Sequence, residues 1–284
     1  MIERVRERAS EAIFARVAGP EGAGRRDRIH GTAGVRRFSP SDPIWRVHAD
    51  PSMFVGGIRA LLLQSLHPLA MAGVDQHSGF RGDPWGRLQR TSGFIAETTF
   101  ATTTHADRAI SAVRRIHERV AGEAPDGRAY AASDPHLLRW VHLAEIDSFL
   151  RAHDRYGSSP LSPAERELYV AQTAVTARLL GAEEVPETVS ELDDALEAYR
   201  AELRSTPAAR AAARFMLLNP PVPLAIRAPY GMLAAAAVGL LPRWARRPLR
   251  LPWLPLTEAT AVRAGGVVVT RAIGWAMAPP ARSA

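Results

Sequence analysis

His117 stands in "SAVRRIHERVAG", residues 111–122, among three arginines and a glutamate. Ile110, Val113, His117 and Val120 are spaced by three, four and three, so a helix lays them along one face while Arg114, Arg115, Glu118 and Arg119 point mostly elsewhere. The spacing predicts a histidine on a buried stripe. Such an imidazole needs a partner for each ring nitrogen, because an unpaired buried polar group is costly. A core histidine finds one in a backbone carbonyl. An axial ligand gives one nitrogen to iron and donates its other N–H to an acceptor behind it. Spacing alone leaves both readings open.

Thirty residues upstream, "GRLQRT" puts Arg87 and Thr91 at i and i+4 on one helical side, with Arg90 beside them. An arginine holds a carboxylate through two parallel charge-assisted hydrogen bonds, so this turn suits a substrate acid or a haem propionate. The plainer alternative is a solvated basic turn. "RWVHLAEIDSF" places His142 three residues before Glu145, with Asp147 close by. A diiron bundle needs two Glu-x-x-His elements and further glutamates, and this single pair runs in the reverse order. His142 therefore reads as a core or pocket histidine, with Trp140 as helix packing. His67 in "LHP" and His77 in "DQHSGF" are further candidates, each more often structural than ligating. A G-x-S-x-G elbow, a phosphate-binding glycine loop, a dinucleotide fingerprint and an H-E-x-x-H pair are all missing, which argues against hydrolase and nucleotide chemistry.

These side chains need helices to hold them, and helical apolar spacing with good caps recurs from about residue 50 to residue 205, while strand signals are scarce. The fold class expected is all-α, a single domain over residues 1–284. "FVGGIRALLLQSLHPLA", residues 54–70, reads as a central helix that Pro68 ends or kinks. A helix is expected from Arg87 to about Phe100, and another from Asp107 to Gly122. Ser133 or Asp134 caps the next, with Pro135 in its first turn and Gly157 beyond its end. Ser162 with Glu165 forms a capping box for a helix ending at Gly181, with Leu168, Ala171, Val175 and Leu179 on one face. Leu192, Leu196, Tyr199 and Leu203 mark one more amphipathic helix.

The last third is apolar, proline-punctuated and basic. Its longest clean run, Ala228 to Leu241, is too short for an ordinary span of about 20 residues. It reads as a core helix, with a membrane-surface segment as the alternative, Arg243, Arg246 and Arg247 then lying near lipid headgroups.

Composition sets the outer bounds. With 46% apolar and 23% charged residues, the 284-residue chain is of ordinary globular type. All 36 basic residues are arginine, and the net charge is +7. The arginines do not alternate with aromatic residues and form no recognisable module, which argues against a nucleic-acid partner. The absence of cysteine excludes disulfides, thiolate metal sites and a cysteine nucleophile. "MIERVRERASEAIFARVAG" lacks the apolar core of a secretory signal, so the expected compartment is the cytoplasm.

Taken together, "LLLQSLHPLAMAGVDQHSGFRGDPWGRLQRTSGFI", "VRRIHERVAG", "YAASDPHLLRWVHLAEIDSFL" and "LSPAERELYVAQ" resemble the MpaB-type oxygenase family, to which the latex-clearing proteins also belong. The resemblance runs from roughly residue 40 to residue 255. It implies a helical bundle with a globin-like core, a b-type haem, and dioxygen-dependent cleavage of isoprenoid carbon–carbon double bonds to carbonyl products. It matches His117 to the proximal iron ligand, and Arg87 and Thr91 to residues near the haem. Arg90 stands where the rubber-cleaving members carry a lysine that can reach the distal iron position, and a permanently protonated guanidinium is a poor ligand there. Ala121 replaces an arginine four residues after the ligand. Both departures weaken a rubber-like substrate and leave the haem in place. Arg90 and His142 are then the residues available on the distal side, and the implied substrate is an apolar small molecule, isoprenoid or lipid-like. Two other readings stay open: a haem-binding sensor or carrier without turnover, and a cofactor-free helical protein at a membrane surface.

Overall fold

The computed structural model describes residues 2–79 and 82–278. The expected all-α architecture is found. In chain order the helices are α1 (Ile2–Ala18), α2 (Gly22–Gly31), α3 (Pro43–Ala49), α4 (Met53–Gln64), α5 (Pro68–His77), α6 (Pro84–Phe100) and α7 (Thr103–His117). A short antiparallel hairpin, β1 (Ala121–Glu123) and β2 (Ala129–Ala131), pairs Gly122 with Tyr130. Then come α8 (Pro135–Tyr156), α9 (Pro163–Leu180), α10 (Val189–Ala198) with a 3-10 turn Tyr199–Ala201, α11 (Pro207–Leu218), α12 (Leu224–Leu240) and α13 (Arg243–Leu249). A one-turn α14 (Pro255–Thr257) and a π-helical turn (Glu258–Val262) lead into α15 (Arg263–Met277).

The centre is α4 against α8. Gly56 allows their close approach, since a Cβ there would stand 2.8 Å from Phe149 Cδ1, 3.2 Å from Phe149 Cα and 3.3 Å from the Ser148 carbonyl oxygen. One turn on, Arg59 and Asp147 form a buried ion pair at 2.7 Å. Arg59 also donates to Ser148 Oγ at 2.7 Å and to the Leu240 carbonyl at 3.1 Å, tying α12 to the same core. Leu62, Leu63, Leu66, Trp140, Leu143 and Leu150 fill the space around them. Trp140 is wholly buried, as its reading as packing requires, and its indole N–H donates at 3.1 Å to the carbonyl of Gln64, where α4 ends.

The caps read from the sequence are largely realised. Asp134 accepts from the His136 N–H at 2.9 Å and opens α8, and the Ser162–Glu165 capping box opens α9. Pro68 begins α5 at 108° to α4. Three expectations need correction. The helix that carries His117 starts at Thr103 and stops at His117, and Gly122 is a strand residue instead of its C-terminal stop. In α9 the face of Leu168 and Leu179 is exposed, while Tyr169, Val170, Thr173, Ala174 and Ala177 turn inward. Arg246 is not a surface residue: it is buried, pairs with Glu258 at 2.6 Å, and donates to the carbonyls of Leu241 and Gly239, both at 2.8 Å. Among the described residues no single helix is long and apolar enough to cross a membrane.

Candidate functional site

Two residues connect α6 to α7, and the helices fold back on each other. Arg87 and His117 lie 13 and 14 residues from the turn, about 20 Å along each helix, so both come to the open end of the pair. Asp83 fixes where α6 begins, accepting from the Gly86 N–H at 2.8 Å. Arg87 then donates to Ser78 Oγ at 2.9 Å; burial, helped by neighbouring Arg90, lowers its pKa. Thr91 is exposed and returns its hydroxyl proton to the Arg87 carbonyl at 3.1 Å. Arg90 is 64% exposed and stands 3.4 Å from Asp83. It therefore lies on the surface of α6 instead of aiming a donor into a buried pocket.

His117 is the last residue of α7 and is half-buried. Its Nδ1 is buried and has no hydrogen-bond partner. Burial lowers its pKa, so the ring is neutral at physiological pH. The backbone of Val120 closes the connection to the hairpin by accepting from the Ala132 N–H at 2.8 Å.

On α8, His142 and Glu145 face the interior one turn apart. His142 Nε2 is buried without a partner, and burial, reinforced by Arg178, drives its pKa down to about 3. Burial pushes Glu145 up to about 7. Beyond Glu145 stands Tyr169, whose phenol is held well above its usual range by burial and by the nearby carboxylate. The Tyr169 hydroxyl lies 3.4 Å from His48 Nε2, and His48 Nδ1 lies 2.8 Å from Thr99 Oγ1, a polar chain that runs from α9 through α3 to α6. Burial brings His48 to about 3 as well. His48, His142 and Glu145 are all partly buried. His105, on the first turn of α7, adds another orphaned buried nitrogen, its Nδ1.

The ends of α7, α8 and α9 are linked. Arg114 donates to the Leu179 carbonyl at 3.4 Å, and Arg178 beside it acts on His142. The last turn of α7 and the second turn of α8 thus border the same end of α9. Two sequence candidates lie elsewhere: His67 caps α5 through Nδ1, and His77 shares a hydrogen bond of 3.1 Å with the Tyr130 hydroxyl on β2. His48, His105 and the separate importance of Glu145 escaped the sequence reading. The available signal for His48 was its place beside Ile44 and Val47 on a short apolar helix.

Fold and site together define an all-α protein in which, among the described residues, His105, His117, His142 and His153 each keep a buried ring nitrogen without a hydrogen-bond partner. Residues 45–272 match the family described as ER-bound oxygenase mpaB/B'/Rubber oxygenase, catalytic domain, and the chain belongs to that family. It is an oxygenase-type catalytic domain by membership. Neither a curated protein nor a solved structure matches the chain.

Proposed function

We propose that this protein is a haem b-dependent oxygenase that cleaves a carbon–carbon double bond in an apolar, isoprenoid or lipid-like small molecule. The observation that carries the reading is His117: a neutral imidazole with an orphaned buried nitrogen, at the same end of the α6–α7 pair as the desolvated Arg87. Both fit the group. A neutral imidazole is the form that ligates iron, and a guanidinium already stripped of water gains most from a propionate. The chemistry haem supplies when bound is dioxygen activation at ferrous iron, one oxygen atom going to each alkene carbon to give two carbonyl products.

The chain's own residues do the rest. His117 would hold the haem iron and Arg87 a propionate, while Thr91 donates to the α6 backbone carbonyl of Arg87. With its pKa near 3, His142 stays neutral and offers one donor or one acceptor without a charge. Glu145, near 7, holds or yields a proton at working pH. Exposed Arg90 is a weaker candidate for the distal role than either.

A separate observation supports entry of the substrate from a membrane surface. Leu218, Leu224 and Leu256 are 73%, 80% and 83% exposed, and Trp253 and Leu254 stand exposed between α13 and α14. From residue 203 onward the chain holds 11 arginines and one acidic residue, Glu258, which is spent on Arg246. An apolar, positively charged face of this kind suits an anionic lipid surface.

The test is the absorbance spectrum of wild type and His117→Ala after incubation with haemin, followed by oxygen uptake of the reduced protein with an alkene. A Soret band that the substitution abolishes or shifts, with oxygen consumed in step with alkene loss, is the expected result. Full haem content and an unchanged spectrum in His117→Ala would sink the ligand assignment. Oxygen binding without turnover would leave a carrier or sensor.

A further inference from the structure

A second set of groups gathers where the α4–α5 bend meets the start of α8 and the end of α10. His67 sits in the bend between α4 and α5, His136 in the first turn of α8, and Glu202 just after the 3-10 turn that follows α10. Their ligand atoms all lie within 4.8 Å of one another. His67 Nε2 is 3.4 Å from Glu202 Oε2, and His136 Nε2 is 3.0 Å from both Glu202 oxygens. We propose that His67, His136 and Glu202 bind a divalent transition metal ion, zinc by preference, at a site separate from the histidines of the oxygenase interior.

Proton accounting on His136 is the first argument. The Tyr199 hydroxyl donates to the His136 carbonyl at 2.8 Å, so the ring's Nδ1, 3.1 Å from the same hydroxyl oxygen, has to be the N–H that donates to it. A neutral imidazole has a single N–H. Nε2 therefore presents its lone pair to the Glu202 carboxylate at 3.0 Å, an arrangement that needs a cation between the two. A proton is one such cation and a metal ion is the other. The metal-ready form is the one Tyr199 selects: Nδ1–H donating outward, Nε2 free, and the ring held by stacking on Tyr199 with centroids 4.5 Å apart.

Geometry is the second. Bonds of about 2.0–2.1 Å at tetrahedral angles place neighbouring donor atoms about 3.3 Å apart, between the observed separations of 3.0 and 3.4 Å around Glu202. Two imidazoles and a carboxylate form a ligand set for zinc, with a fourth position left open. His67 is buried, and burial keeps its ring neutral. His136 and Glu202 are about half exposed and give the ion a path and a water for the open position. One rearrangement is required. His67 Nδ1 now accepts from the Ala70 N–H at 3.4 Å, beyond the usual hydrogen-bond range, and ligation through Nε2 moves the ring proton to Nδ1 and gives up this weak cap. The neighbouring positive charges do not oppose the ion strongly, because Arg128 and Arg204 are both engaged by Asp126 at 2.9 Å.

The experiment uses the full chain, chelator-treated and without added haem, titrated with Zn²⁺ and separately with Co²⁺ as a spectroscopic probe. The expected result is one equivalent of Zn²⁺, a raised Tm, and the intense visible bands of four-coordinate Co²⁺. Glu202→Gln and His136→Gln are expected to weaken binding at least 100-fold while retaining the helical circular-dichroism signal, and His117→Ala is expected to bind Zn²⁺ like wild type. Wild-type protein that shows no Zn²⁺-dependent Tm shift, or folded Glu202→Gln that binds Zn²⁺ as tightly as wild type, would overturn the proposal and leave a protonated His136–Glu202 pair. Loss of Zn²⁺ binding in His117→Ala alone would overturn it too.

Discussion

Several of the deepest ionisable side chains carry pKa values that work against one another as pH changes. His48 and His142 titrate near 3 in the folded protein against 6.5 when exposed, so between those values the unfolded chain binds more protons and stability falls as pH drops. Glu145 acts in the opposite sense: its folded pKa of about 7 lies above 4.5, so the native state holds a proton the unfolded chain has lost, and stability falls as pH rises through that window. His142→Phe is expected to flatten the acid limb of a denaturation series between pH 3 and 6.5, and Glu145→Gln to raise the Tm at pH 8 relative to pH 5. An unchanged pH profile in either variant would refute the burial assigned to that residue. Arg87→Ala is expected to weaken haem uptake at least tenfold, whereas Arg90→Ala, which removes an exposed pair worth about 0–1 kcal/mol, is expected to leave both uptake and Tm nearly unchanged. Of the candidate residues, His117, Arg87 and His142 were singled out by helical spacing or family resemblance. His48 was not singled out, and Glu145 was named only as the neighbour of His142, because their environment is made by α3, α6 and α9, which are distant in sequence.

The α4–α8 contact sets the frame in which those residues meet. Gly56→Ala puts a methyl group against the backbone of α8 and is expected to cost about 1–3 kcal/mol, outweighing the roughly 1 kcal/mol that alanine gains in a helix. Gly57→Ala meets nothing within 4 Å and is expected to stabilise by up to about 1 kcal/mol. Denaturant midpoints that fail to move in opposite directions would refute the close approach. Asp147→Asn leaves Arg59 buried with its charge uncompensated, and a loss of about 3–5 kcal/mol is expected. Element boundaries were readable where side chains cap them: Asp134 with Pro135, Ser162 with Glu165, and Pro68. They were misread where the signal is a backbone choice, as at His117, where the chain leaves the helix for β1 without a glycine stop. The inward face of α9 was misjudged because small residues such as Ala174 and Ala177 fill it while Leu168 and Leu179 stay outside.

At the scale of the molecule, the helical class and the apolar, basic character of the last third were legible from composition and periodicity. What sequence could not separate is which apolar residues enter the core: α12 buries Leu233, Ala234, Ala236 and Ala237 but leaves Leu224 and Ile226 in solvent. Co-sedimentation with vesicles is expected to rise with anionic lipid content and fall with salt, and Leu224→Glu with Leu256→Glu is expected to abolish it without lowering the Tm. Binding that ignores lipid charge would refute the electrostatic part of the reading.

The Arg246–Glu258 pair bears on how the proposed attachment would be controlled. Although burial alone would raise it, the hydrogen bond from Arg246 holds the Glu258 carboxyl below its usual range. From residue 203 onward the chain has no histidine and no acidic side chain besides Glu258, so no side chain there titrates near neutrality. On the proposed lipid-surface reading, attachment would follow ionic strength and lipid composition, whereas Glu145, pushed up to about 7 in the interior, exchanges its proton near neutrality: one end answers to protons and the other to salt.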